Sequence, residues 1–341
     1  MDPMNNTTEM LELLPYPAFT VADGKILLVN QAAAVRQIAP GTQIREMLLT
    51  GQQEYETLTD GCLYLTLEVC GSACGATVKQ MDGYRLFMLD QEIREAALRA
   101  YALVGRELRK PLQELAASSG MDTPGTSRSL HQLLRLADNL SDAARYDSQA
   151  LPQMVSMDLT ALFAEIMEKA ATMAAQAGYT LRYTGPAVSA VCPADQDRLE
   201  RAVYNLLANA FKFSPAGSTV ACRLTLTGHL LCFTVEDQGQ GIPSQRLGNV
   251  FSQFLRQPDL EDSRQGIGLG MLLIRSAAAL HGGTVLLQQP SGGGSRITMT
   301  LSLQHTTPEL VGSPHLTVDS GWDRALVELS EILPLSAYEN L

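Results

Sequence analysis

From the N-terminus to residue 91, short apolar runs alternate with turn residues, the pattern of strands in a small mixed α/β unit. Ala18–Ala22 and Lys25–Asn30 flank Asp23-Gly24, a pair that accepts the positive φ of a tight two-residue turn, so a hairpin is predicted. A helical stretch, Gln31–Ile38, follows, and runs at Cys62–Cys70, Ala76–Gln80 and Tyr84–Leu89 predict further strands, with Met81-Asp82-Gly83 as a turn. From Gln91 the period changes. Leu98, Tyr101, Gly105, Leu108, Leu112 and Leu115 recur at intervals of three and four. Leu130, Leu133, Ala137, Leu140 and Ala144 repeat that seam after a loop containing Ser118-Ser119-Gly120 and Thr123-Pro124-Gly125. Residues 92–152 therefore predict a helical hairpin. One hairpin has too little apolar area to stand alone, and two copies forming a four-helix dimerisation bundle are the natural solution.

Residues 153–304 mix both periods. Leu159–Ala174 is an amphipathic helix and Thr180–Tyr183 a strand. Asp197–Lys212 places Leu199, Val203, Leu206, Leu207 and Ala210 on one helical face. Val220–Thr227 and Leu230–Glu236 form a hairpin across Gly228-His229, Met271–Leu280 a helix, and Thr284–Gln288 with Arg296–Leu303 a last hairpin across Ser291–Ser295. Helices on one face of a mixed sheet give an α/β sandwich. Residues 305–341 are a polar, proline-bearing tail with a short amphipathic segment at Trp322–Leu333, for which packing back onto the preceding domain is the simplest expectation.

Composition adjusts this picture only slightly. The 341 residues suit about two or three domains, and 45% apolar with 18% charged residues is an ordinary globular mix. A net charge of −11 argues against broad binding to nucleic acid or anionic membranes. No apolar run approaches the roughly 20 residues of a membrane span, and MDPMNNTTEM does not resemble a signal peptide, so a cytoplasmic protein is expected. The cysteines at 62, 70, 74, 192, 222 and 232 lack the paired spacing of structural zinc; Cys222 and Cys232, in apolar runs, are expected to be buried thiols.

Candidate chemistry concentrates between Asn205 and Gly270. The helix reading NLLANAFKFSP is followed by two glycine-rich turns, EDQGQGIP at Glu236–Pro243 and QGIGLG at Gln265–Gly270, each after strand-forming sequence or before a helix. Backbone N–H groups in such turns hold a nucleotide phosphate tail, which makes this a candidate ATP site. These three boxes, in this order, resemble the ATPase domain of sensor histidine kinases within the GHKL family. The resemblance implies an ATP site with Mg2+. Asn209 would supply its carbonyl oxygen to the ion with Asn205 beside it, and Lys212 would offer charge to the phosphates. Asp237 would accept a hydrogen bond from the adenine amino group, and Gly239 and Gly241 would bring backbone against the base. Gly266, Gly268 and Gly270 would lead the phosphates to a helix N-terminus. Pro243–Gln265 is the corresponding lid, with Phe251 and Phe254 as apolar anchors and Arg256 as a phosphate contact. Water-splitting members of the wider family carry a glutamate where this chain has Asn205, so the resemblance implies phosphotransfer to a protein. PYPAFTVADGKILLVNQAA at Pro15–Ala33 similarly resembles a PAS-type sensor, although the absence of histidine before His131 excludes a His-ligated haem there.

The kinase acceptor motif runs His-Glu-x-Arg-x-Pro-Leu. Here the matching stretch is Arg106-Glu107-Leu108-Arg109-Lys110-Pro111-Leu112. Arginine stays protonated and has no nucleophilic lone pair, so self-phosphorylation at position 106 by the usual route is excluded; Glu107 remains as a candidate base without its acceptor. His131 is expected at the start of the second bundle helix on the surface, His229 in a turn, and His281 at a helix end where positive charge suits the dipole. Three functions remain open: phosphorylation of a partner chain, a pseudokinase that binds ATP and modulates a partner, or a response-regulator phosphatase. The implied partners are a second copy or a related kinase, and a response regulator.

Overall fold

Asp23 and Gly24 take φ values of 50° and 75°, as their residue types predict, and join β1 (Ala18–Ala22) to β2 (Lys25–Val29). The computed structural model describes residues 3–14, 16–90, 108, 112, 124–145, 152–242, 269–303, 311–312, 318–319 and 322–339. A helix not anticipated from sequence, α1 (Pro3–Glu12), precedes the hairpin. It is tied down by Asn30, a buried amide that donates to the Leu11 and Tyr16 carbonyls at 3.3 and 2.9 Å and accepts from Ala18 N–H at 3.0 Å. The same Asn30 oxygen caps α2 (Gln31–Val35) by accepting from Ala33 N–H. After α3 (Gln52–Thr57) come β3 (Cys62–Val69), β4 (Ser72–Gln80) and β5 (Arg85–Leu89), giving a neighbour order β2-β1-β5-β4-β3. Phe19, Tyr55 and Phe87 lie at the centre of this core, Phe19 and Phe87 stacked at 4.8 Å.

The sheet does not stop at β3. That strand pairs with β11 (Val285–Gln288) of the C-terminal half, Tyr64 opposite Val285 and Cys62 opposite Leu287. Because alternate side chains point to opposite faces, β3 serves two cores: Leu63, Leu65 and Leu67 join the N-terminal core, while Cys62 and Tyr64 join the C-terminal one. The result is a ten-stranded sheet that continues through β12 (Arg296–Ser302), β10 (Leu230–Glu236), β9 (Thr219–Thr227) and β7 (Thr180–Thr184). Gly61 allows the approach, since a Cβ there would fall on the Leu287 carbonyl.

Three helices cover one face of the C-terminal part of the sheet and bury a common core. In α5 (Leu159–Gln176), Leu159, Leu162, Phe163, Ile166, Met167 and Ala170 are buried at helical spacing, and Asp158 caps the helix by accepting from Thr160 N–H. The others are α6 (Gln196–Phe213), capped by Asp195, and α7 (Leu269–Leu280). A small second sheet joins β6 (Val155–Asp158), β8 (Val191–Ala194) and β13 (Val311–Gly312), and β14 (Val318–Asp319) pairs with β15 (Trp322–Asp323). The tail ends in α8 (Arg324–Glu328) and a 3-10 turn at Leu335–Tyr338, and Leu326, Leu329, Leu333 and Tyr338 enter the main core.

On the helix α4 (Pro124–Arg145) the seam residues Leu130, Ala137 and Leu140 are buried within the chain together with Leu134, while Leu133 is 47% exposed. α4 packs against α7 and α8: Leu130 and Leu134 meet Val327, and Leu140 meets Leu269 and Leu272. His131, expected on the surface, is buried, with its ring edge-on to Tyr338 at 5.0 Å. None of the six cysteines is in a disulfide; Cys222 is buried, Cys232 is half-buried, and burial pushes the Cys222 thiol up to about 12. Among the described residues no helix is long and apolar enough to cross a membrane. Residues of the first predicted bundle helix other than Leu108 and Leu112, and so Arg106 and Glu107, lie outside the described residues.

Candidate functional site

The candidate site is drawn from the C-terminal end of β10, the second half of α6, the start of α7 and the β11–β12 loop. Asp237 directly follows β10 and is buried. Its Oδ1 accepts from Gly239 N–H at 2.8 Å and Ser295 N–H at 3.1 Å, while its Oδ2 accepts from the Ser295 hydroxyl. Ser295 therefore belongs to the site, though the sequence reading passed over it as part of a flexible loop. Its signal would have been position: one residue before β12, which pairs with β10, it must face the residue that follows β10.

The glycines around Asp237 are demanded by close packing. A Cβ on Gly239 would stand 2.6 Å from the Phe213 carbonyl oxygen at the end of α6 and 2.9 Å from Asp237 Oδ1. Gly241, at φ 72°, would meet Gly294 O at 2.9 Å, and a Cβ on Gly294, at φ 79°, would fall on the Asp237 carbonyl. These turns thus lock the Asp237 carboxylate between α6 and the β11–β12 loop.

At the other end, Asn205 is buried on α6 and donates its amide to the Arg201 carbonyl at 2.9 Å. That bond turns its oxygen toward α7, to 2.9 Å from where a Cβ on Gly270 would be; the Asn209 amide nitrogen is 3.6 Å from the same point. Gly270, at the start of α7, is therefore the contact between the asparagine helix and the helix that follows the second glycine box. A hard divalent cation takes carbonyl oxygen; the Asn205 oxygen is enclosed against Gly270, and Asn209, only partly buried, is the better placed of the two to offer one. Among the described residues no group of three or more His, Cys, Asp or Glu is arranged to hold a metal, so such an ion would rely on amide and phosphate oxygens.

Lys212, assigned to the phosphates, lies near the end of the same helix, and its ammonium is paired with Glu331 of the tail at 2.8 Å. His281 corrects the expectation of a cation at a helix end. Its Nδ1 donates to the Ala277 carbonyl at 2.7 Å and its Nε2 accepts from Asp195 N–H at 3.0 Å, so both nitrogens are used by the neutral ring. Burial above all lowers its pKa below the usual imidazole value. Phe251, Arg256, Gly266 and Gly268 lie outside the described residues.

Residues 194–305 match the family described as histidine kinase-, DNA gyrase B-, and HSP90-like ATPase. That segment is a histidine-kinase-type ATPase domain, and the chain is similar to sensor histidine kinases. Its curated relatives include the sensor histidine kinase TmoS of Ectopseudomonas mendocina, 31% identical over 221 residues that span 60% of this chain and 22% of TmoS. Another is the sensor-like histidine kinase SenX3 of Mycobacterium tuberculosis (strain CDC 1551 / Oshkosh), 30% identical over 61% of this chain and 54% of SenX3. The chain thus spans about half or less of these relatives. A solved structure of the mycobacterial sensor histidine kinase MprB is 26% identical, with 45% of this chain and 97% of that chain covered and a TM-score of 0.36. The matched ATPase segment contains every described nucleotide-site residue, and β3 and the tail segment 322–339 lie outside it.

Proposed function

We propose that the chain is an ATP-binding, histidine-kinase-like signalling protein of a two-component system that cannot phosphorylate itself at position 106. The observation that carries this reading is the convergence of Asp237 with Ser295 at one end of the site and of Asn205 with Gly270 at the other. The carboxylate of Asp237 accepts the adenine amino proton and discriminates against guanine, whose oxo group offers no donor there. Asn209 would offer its carbonyl oxygen to Mg2+ with Asn205 beside it, and the ion would supply positive charge to offset the phosphates. Gly266, Gly268 and Gly270 lead the phosphates to the start of α7, and Phe251 and Arg256 belong to the lid over them. With arginine at position 106, phosphoryl transfer goes to a histidine on a partner chain, with Glu107 the candidate base of this chain's own bundle.

The N-terminal unit is read as a PAS-like sensor, which the strand order β2-β1-β5-β4-β3 and the helices between β2 and β3 support. Dimerisation with a second copy or a related kinase has support in the exposed Leu133 and Leu136 of α4. A response regulator is the implied downstream partner. A second reading, a pseudokinase that binds ATP and acts by dimerisation, is favoured by the ion pair that occupies Lys212.

Incubation with γ-labelled ATP and Mg2+ separates these readings. The kinase reading expects no acid-labile label on this chain, label on an added partner kinase, and self-labelling by Arg106→His. Failure of both the partner and Arg106→His to take up label would leave the pseudokinase reading; label on the unmodified chain would refute the role given to Arg106.

A further inference from the structure

The tail segment Asp323–Glu339 sits outside the matched ATPase segment, yet within it Arg324 through Ser330 are buried without a break. It is wedged between α4 and α6. Towards α4, Arg135 meets Glu328 at 3.4 Å and Glu331 at 3.0 Å, and the Arg128 guanidinium donates to the carbonyls of Ser330 and Glu331 at 3.3 and 3.2 Å. Towards α6, Arg324 pairs with Glu200 at 3.2 Å and also with Asp197, and Glu331 takes Lys212 at 2.8 Å. The third side closes through Arg201 of α6, which reaches Asp142 of α4 at 2.8 Å and Glu328 of the tail at 3.8 Å.

Two of these groups show that the arrangement is made for holding. Arg201 is 5% exposed; burial alone would push its guanidinium down, but Asp142, Glu328, Asp138 and Asp197 outweigh that and hold it charged. Glu331 joins both sides with one carboxylate: Oε1 binds Arg135 of α4 and Oε2 binds Lys212 of α6. Lys212 shares α6 with Asn205 and Asn209, so the segment that fastens α4 to the ATPase domain also takes a cation of the nucleotide site.

We infer that the C-terminal segment is a clasp that holds α4 against the ATPase domain and, through Glu331, keeps Lys212 occupied until the clasp opens. The assignment of Lys212 to the nucleotide rests on the ATP-site reading above. Opening the clasp frees the ammonium for phosphate and releases α4 from α6 in a single event, so that nucleotide binding and the position of α4 oppose one another through Glu331.

Deleting the segment would strip Leu326, Leu329 and Leu333 from the main core and unfold the domain, so the test uses point variants in the full chain. Glu331→Gln keeps the side-chain shape and removes the charge shared by Arg135 and Lys212. Affinity for a fluorescent ATP analogue with Mg2+ is measured together with hydrogen exchange of α4 amides. The expected result is about two- to fivefold tighter binding, the worth of one partly exposed ion pair, and roughly fivefold or faster exchange in α4. Arg128→Ala, which touches only the α4 side, raises exchange as well. Asp237→Asn, measured alongside, reports on the site itself: if it leaves binding intact, the ATP-site reading fails. If Asp237→Asn weakens binding while Glu331→Gln changes neither affinity nor exchange, the clasp is refuted and the site stands.

Discussion

At the scale of single residues, the site is defined by what small side chains permit. Gly294 holds φ at 79° directly over the Asp237 carbonyl, so Gly294→Ala adds backbone strain and a clash at once. The variant should lose about 1–3 kcal/mol of stability by urea titration and should lose nucleotide affinity as well, because it displaces Ser295 from the Asp237 carboxylate. Full stability with unchanged affinity would show that the β11–β12 loop does not shape the site. Asn205, Asn209, Asp237 and the glycines were nominated by the sequence because their signal is local: two amides four residues apart share a helix face, and glycine boxes mark backbone turns. Ser295 was not, because its meaning lies in the partner it faces, 58 residues away. Lys212 likewise reads as a phosphate ligand until Glu331, 119 residues on, is brought to it.

At the scale of elements, periodicity located the ten strands of the main sheet and the long helices α4 to α7, but not α3, β6 or β8, and it could not say what each would pack against. On α4, Leu134 joins Leu130 and Leu140 in packing against α7 and α8, partners that the heptad argument did not include, and Leu133 is left exposed. The helix α1 was missed because PMNNTTEMLE has little helical signal of its own; the carbonyls of Leu11 and Tyr16 are held by Asn30. His281 joins α7 to the cap of α6, and its pH behaviour follows from its tautomer. Protonating Nε2 would set an N–H against the Asp195 N–H, and burial opposes the charge. A lowered folded pKa means that the unfolded chain takes up the proton first. The stability His281 contributes is therefore complete above the ordinary imidazole value and is lost as pH falls from there through the lowered folded value. Urea midpoints at about pH 7.5 and pH 5.5 should differ less in His281→Asn than in the wild type, near the ordinary imidazole range; an equal difference would assign the acid sensitivity elsewhere. Neighbouring Asp195 and Arg198 act on the same ring in opposite directions and stay in place in this variant.

At the scale of the whole molecule, the ATPase domain is gripped from two sides. On one, β3 extends its sheet, and Arg275 of α7 lies over the Tyr64 ring at 4.5 Å and pairs with Asp90 at 3.0 Å, so the N-terminal unit holds the helix whose first turn carries Gly270. On the other, the tail fastens α4 to α6. The amphipathic segment at Trp322–Leu333 announced that the tail would pack back onto the domain, but the β3–β11 pairing and the ion pairs to α4 could not be read from sequence, since such contacts leave no periodic trace. Both grips touch a helix of the candidate nucleotide site, α7 on one side and α6 on the other, and the chemistry proposed for that site is the claim on which the rest depends. Calorimetric titration of the full chain with ATP and Mg2+ tests it most directly. Asp237→Asn should weaken binding by about 1.5–3 kcal/mol, the scale of a hydrogen bond to a charged group. Affinity equal to that of the wild type would contradict the account.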